Sequence, residues 1–169
     1  MNIAGVNYES IVDTDDGYAC VIFISGCLHN CAGCHNPNTH DFNYGEKLTD
    51  DYINEINKQI DRRPYLKSIV LSGGDPMYSA EEITEYLLPK LHIGNKKLWC
   101  YSGFTMSQIQ QDENMKNLLS KCDVLVDGLF EITQRDITLT CRGSSNQKIW
   151  CKDNDIWKER ISESERTKV

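Results

Sequence analysis

Residues 18–34 read YACVIFISGCLHNCAGC, and the fold and the chemistry are both read outward from this stretch. Tyr18 to Ile24 is a short run of β-branched and aromatic residues, which predicts a strand buried on both faces. Ser25-Gly26 closes it, and a loop carrying Cys27, Cys31 and Cys34 follows at once.

The same grammar repeats downstream. Ser68 to Leu71 predicts a second buried strand, closed by Ser72-Gly73-Gly74-Asp75-Pro76; Lys97 to Tyr101 predicts a third, closed by Ser102-Gly103; Asp123 to Val126 predicts a fourth, ending at Asp127-Gly128. Helices are expected between them. Thr49 caps one that runs to about Asp61, with Ile53, Ile56 and Ile60 on its inner face. Ser79 and Glu82 fit a capping box for a second, which Pro89 ends. A third is expected over Met106 to Leu119. Strands alternating with helices predict an α/β fold: an open, curved parallel sheet, a partial β/α barrel, with helices on the outer face. The chain is too short for an eight-stranded barrel, which takes about 200 residues or more. Ligands of parallel sheets sit at the carboxyl ends of the strands, where the four small-residue loops would meet. One domain is expected over 1–157, followed by a charged mobile tail over 158–169.

The 169 residues carry 18 basic and 25 acidic side chains, a net charge of −7. That balance argues against general nucleic-acid binding, which needs a basic surface to neutralise phosphates. No stretch approaches the roughly 18 apolar residues of a membrane helix, and the start of the chain has no secretory signal. A cytoplasmic location is expected. Eight cysteines in a reducing compartment point to metal or redox chemistry rather than to disulfides, and the close spacing of three of them carries that weight.

Three soft thiolates on one loop can hold three corners of an iron–sulfur cubane, leaving one iron open to an exchangeable ligand such as a chelating amine and carboxylate. The alternatives are a structural zinc site completed by His29, His35 or His40, or an electron-carrier cluster closed by a fourth cysteine from among Cys20, Cys100, Cys122, Cys141 and Cys151. These five are scattered, and each reads equally as a small buried apolar residue. Metal-binding interaction module and simple electron carrier therefore stand beside enzyme as function classes.

Cys-x3-Cys-x2-Cys after a first strand resembles the signature of the radical S-adenosylmethionine superfamily. More narrowly, the chain is similar to the activating enzymes of the anaerobic (class III) ribonucleotide reductase. The similarity is carried by Phe23 through Asn36, by Leu71-Ser72-Gly73-Gly74-Asp75-Pro76, by Trp99 through Phe104, by Val124 through Gly128 and by Arg142-Gly143-Ser144-Ser145-Asn146-Gln147, in the family's order. Activators of other glycyl-radical enzymes are an alternative within the same chemistry, but they usually have longer chains, and the Arg142 to Gln147 block favours the reductase activators.

The resemblance implies that Cys27, Cys31 and Cys34 ligate a [4Fe–4S] cluster whose open iron binds S-adenosylmethionine. Reduction would split the latter into methionine and a 5′-deoxyadenosyl radical, which takes a hydrogen atom from a glycine of the reductase large subunit. A one-electron donor such as flavodoxin would supply the electron. No side chain is expected to act as a catalyst in its own right, because the cofactor carries the hard chemistry. Gly33, Cys34 and His35 are implied beside cluster and adenine, and Gly73, Gly74 and Asp75 beside the methionine amine. One departure stands out: the family often has Asn-Gly-Pro-Gly before the first strand, where this chain has Asp13-Thr14-Asp15-Asp16-Gly17, and this loop is expected near the site mouth.

Overall fold

Eight strands form one open sheet in a computed structural model that describes residues 1–160. In chain order they are β1 (Asn2–Ser10), β2 (Ala19–Ile24), β3 (Glu46–Lys47), β4 (Ser68–Gly73), β5 (Lys97–Tyr101), β6 (Val124–Asp127), β7 (Lys148–Asp153) and β8 (Ile156–Glu159). Across the sheet they run β3-β1-β2-β4-β5-β6-β7-β8. The four strands expected from sequence are the central ones and are parallel: Cys20 pairs with Ile69, Leu71 with Cys100, and Cys100 with Leu125.

The flanks correct the expected architecture. β1, β3, β7 and β8 are all antiparallel to their neighbours, so the sheet is mixed and does not close. β7 and β8 are joined by Asn154-Asp155, both at positive φ (49° and 62°), the conformation of a two-residue hairpin turn that follows the strand twist. β8 takes Lys158 and Glu159 out of the expected tail. The remainder of that stretch, 161–169, lies outside the described residues.

Helices cover one face only. In α1 (Asp50–Asp61), Thr49 Oγ1 accepts from the Tyr52 amide, while Ile53, Ile56 and Ile60 are buried against the sheet. Each such burial is worth roughly 1.5–3 kcal/mol. The next segment starts earlier than the Ser79 capping box implied. Its first turn is a 3-10 turn, Pro76–Ser79, capped by Asp75; it then passes through α2 (Ala80–Glu82), a π turn (Ile83–Leu87) and a closing 3-10 turn (Leu88–Lys90). Pro76 at the first position suits this start, since a proline has no amide hydrogen to leave unpaired there.

The single helix expected from Met106 is broken in two: α3 (Met106–Ile109) and α4 (Glu113–Lys121). The Asp112 side chain accepts from the Met115 amide, and this local competition with the backbone starts a new helix.

Alternation along the parallel strands sorts the core. Cys20, Ile22, Ile24, Ile69, Leu71, Leu98, Cys100 and Leu125 face the helices. Val21, Val70, Trp99, Val124 and Val126 face the other way, where Cys141 and the loop after β1 cover them. That loop spans this face: Asp13 O accepts from Tyr101 Oη (2.8 Å), on the last residue of β5, and its other end lies toward the opposite edge. Asp16 accepts from Ser68 Oγ (2.9 Å), Lys97 Nζ (2.6 Å) and Trp99 Nε1 (2.7 Å), at the amino ends of β4 and β5. Burial raises its carboxyl, and these hydrogen bonds outweigh that effect and hold it below the ordinary value.

Candidate active site

The carboxyl ends of β2, β4, β5 and β6 meet through backbone contacts that leave no room for side chains. Gly74 N donates to Ile24 O (2.8 Å), and Asp75 N donates to Gly26 O (3.0 Å). A Cβ on Gly73, which sits at φ +107°, would lie 2.5 Å from Ile24 O, and one on Gly74 would lie 2.6 Å from Gly26 O. These glycines are set by the approach of the β2 and β4 loops. Across the site, Ser102 N donates to Val126 O (2.9 Å), which ties the β5 loop to β6 in the same way.

The loop from Cys27 to Cys34 has no regular secondary structure. It is anchored at its start by Cys27 N donating to His40 O (3.3 Å) and turned at its end by Cys34 N donating to Cys31 O (3.1 Å). Asn30 (φ 50°) and Gly33 (φ 72°) take left-handed conformations within it. Cys27, Cys31 and Cys34 are free, partly exposed thiols. Burial pushes the Cys27 thiol up to about 11; the nearby charges of Asp75, Cys31 and Cys34 push the same way, while the His29 amide opposes them. Three thiolates so close repel one another, and metal cations are what would stabilise them together.

The donor set fits an iron–sulfur cubane with three protein ligands. Among the described residues, no three His, Cys, Asp or Glu side chains form a group able to hold a metal ion. A cubane, by contrast, takes its ligands at separate corners. The other cysteines lie elsewhere: Cys20, Cys100, Cys122 and Cys141 are buried in the core, and Cys151 is on β7. Burial raises Cys20 to about 12, as for an inert apolar thiol.

His29 turns Nε2 to Asp75 Oδ2 (2.7 Å), so only Nδ1 is left to meet a metal. Asp75 itself, expected beside a ligand's ammonium, is 1% exposed and has four protein donors: His29, Ser102 Oγ (2.9 Å), the Gly103 amide (2.9 Å) and the Met77 amide (2.9 Å). His35 is exposed and lines a separate hollow of about 260 Å³ with Phe23, Asn36 and Tyr44. Gly33 lies under the aromatic and aliphatic tips of Phe130 and Ile132.

Beside His29 opens a cavity of about 660 Å³, within the usual range for small-molecule sites. Its walls come from the ends of β5 and β6 and from β7: Phe104, Thr105, Gln108, Asp127, Asn146 and Trp150. Asp127 is buried and accepts from the Met106 amide (2.5 Å); burial raises its carboxyl. Two buried polar atoms here make no hydrogen bond of ordinary geometry: Asn146 Oδ1, and Trp150 Nε1, which faces Asp127 closely enough to oppose that rise. Gln147 braces the wall. Its Oε1 accepts from the Gly143 amide (2.9 Å), and its Nε2 donates to Gly128 O (3.0 Å). Asp127, Asn146 and Gln147 lie in blocks singled out from sequence without a role. Trp150 went unnoticed because the alternation of β7, which would have turned it to the site, is too short to read alone.

A model of the 4Fe-4S single cluster domain matches residues 15–150. The anaerobic ribonucleoside-triphosphate reductase-activating protein of Enterobacteria phage T4 is 32% identical over 160 residues, covering 90% of this chain and 99% of that protein. The chain belongs to this family of reductase activators. The activator of Vibrio cholerae serotype O1 is 36% identical over 152 residues, covering 85% of this chain and 97% of its own length. That of Escherichia coli strain K12 is 32% identical over 155 residues, with the same coverage of 85% and 97%. The activator family's 4Fe-4S domain thus spans the cysteine loop, the cavity and the start of β7. No helix among the described residues is long and apolar enough to cross a membrane.

Proposed function

We propose that this chain activates an anaerobic ribonucleotide reductase by reductive cleavage of S-adenosylmethionine. One observation carries the reading: three free thiols share one loop at the carboxyl end of β2, beside a cavity of nucleoside size, in a chain of the reductase-activator family. Cys27, Cys31 and Cys34 would hold a [4Fe–4S] cluster. When reduced by an external one-electron donor such as flavodoxin, it supplies the electron that splits the sulfonium into methionine and a 5′-deoxyadenosyl radical, which takes a hydrogen atom from a glycine of the reductase.

The protein's own part is geometric. Gly73 and Gly74, which carry no side chains, leave their backbone carbonyls for the methionine ammonium, with Asp75 holding that loop from behind. Gly33 and His35 flank the third ligand on the outer side of the loop. The polar wall of Asp127, Asn146 and Trp150 suits the nucleoside end, since the buried Asn146 Oδ1 makes no hydrogen bond and favours a ligand that completes it. Residues 1–157, carried on through β8, act as one domain, and the setting is cytoplasmic.

Anaerobic reconstitution tests this. About four irons per chain should be taken up, and dithionite should drive cleavage of S-adenosylmethionine to 5′-deoxyadenosine. Cys27→Ala, Cys31→Ala and Cys34→Ala should each abolish cleavage, while Cys151→Ala should retain most of it. Tight zinc without iron uptake, or spectroscopy showing all four irons bound by protein, would refute the proposal.

A further inference from the structure

We infer that His29 is a positioning residue: its contact with buried Asp75 holds the cysteine loop against the cavity wall and shields the metal that this loop would carry. The inference rests on the function proposed above and deepens it.

Three groups converge on Asp75 Oδ2. A backbone amide (Gly103) and a hydroxyl (Ser102) both donate there at 2.9 Å. An ionised carboxylate only accepts, so the imidazole nitrogen facing it at 2.7 Å carries a hydrogen. The contact is thus an Nε2–H donating to Asp75. The remaining surfaces of the ring are equally constrained. Phe104 meets it edge-on at 4.6 Å between centroids, Tyr78 packs at 5.3 Å, and Gly103 lies so close that a Cβ would come within 2.5 Å of the ring. The side chain is 13% exposed.

Besides His29, the cysteine loop is tied to other segments near its start, where Cys27 N donates to His40 O (3.3 Å) and the Leu28 backbone meets the Tyr78 hydroxyl. Between Cys27 and Cys34 the backbone forms no helix or strand, and the Cys34–Cys31 turn ties the loop only to itself. His29 reaches across 46 residues of sequence to a carboxylate that also caps the Pro76–Ser79 turn and fastens the β5 loop. One buried group thereby sets the cysteine loop relative to the β4 loop that carries it and the β5 loop that lines the cavity. Partners of this kind, one step removed from a metal, commonly change metal affinity by about 10- to 100-fold when lost.

The test compares iron retention in reconstituted wild-type protein, His29→Ala and His29→Gln under anaerobic conditions, with a ferrous chelator as the probe. Glutamine can place an N–H near the position of the imidazole Nε2. His29→Ala should release iron about tenfold faster or more, and should lose the change in cluster spectrum that S-adenosylmethionine induces in wild type. His29→Gln should stay within about threefold of wild type, well short of the alanine effect. Circular dichroism and melting curves on each variant separate loop loosening from unfolding. Equal iron release from wild type and His29→Ala overturns the inference, as does a folded His29→Gln no better than alanine. Failure of the wild type itself to take up iron would instead overturn the function on which the inference rests.

Discussion

Gly103→Ala offers a sharp test of the packing around the cysteine loop, because its effect should reverse sign with the residue at position 29. An added Cβ would stand 2.5 Å from His29 Cδ2, 2.7 Å from Nε2 and 3.1 Å from Cγ, and these are the three nearest atoms it would meet. To reach ordinary contact the ring must retreat by about 1 Å, which stretches the 2.7 Å contact with Asp75 beyond hydrogen-bond range. A hydrogen bond to a charged group contributes about 1.5–3 kcal/mol. Replacing glycine stabilises by about 0.4–1 kcal/mol through the unfolded chain. The net expectation is a loss of about 0.5–2.6 kcal/mol in the wild-type background. With His29→Ala already present the ring is gone, and the same substitution should stabilise by about 0.4–1 kcal/mol. Urea denaturation of the four metal-free proteins under reducing conditions measures this cycle, with a coupling of about 1.5–3 kcal/mol expected. Equal effects of Gly103→Ala in both backgrounds would refute the geometry described for His29.

Three further outcomes follow from other parts of the fold. Asp16→Asn should destabilise at neutral pH; because the folded carboxyl titrates below its ordinary value, its contribution is present above about pH 4 and lost as pH falls through the folded value, so the gap between wild type and variant in denaturation midpoints should close on acidification. Gly73→Ala, whose Cβ would press on backbone at 2.5 Å, should cost more than about 3 kcal/mol, whereas Gly94→Ala, at φ +60° with only Lys96 Nζ at 3.9 Å, should cost about 1–2 kcal/mol by thermal melting. Asp155→Gly should raise the melting temperature by a few degrees, since glycine adopts the φ of 62° there without strain, a gain of roughly 0.5–1 kcal/mol.

The central strands were legible because burial on both faces writes itself as uninterrupted apolar runs such as Val21 to Ile24 and Ile69 to Leu71. The edge strands carry no such mark. β1 mixes Gly5, Asn7 and Glu9 into a half-exposed, bulged strand, and β7 alternates too briefly. The Asn154-Asp155 turn between β7 and β8 was available as a hairpin signal, and it was obscured by the surrounding charge. Cys27, Cys31 and Cys34 could be read directly, since their chemistry depends on local spacing. What Asp75 does could not. A carboxylate after two glycines suggests a ligand, and only the fold brings His29 of the cysteine loop and Ser102 and Gly103 of the β5 loop to it.

The face of the sheet opposite the helices is closed by segments from the two ends of the chain. Arg160 pairs with Asp15 across 145 residues of sequence, directs Nε and Nη2 to Cys151 Sγ and stacks 5.4 Å from the Trp99 ring. During synthesis, therefore, the helical side can consolidate as soon as β6 emerges, and the loop after β1 can already lie over Trp99 through Asp16, while the cover that Arg160 adds on this side waits for β7 and β8. For that interval the face is only partly covered, and the last dozen or so described residues complete its closure.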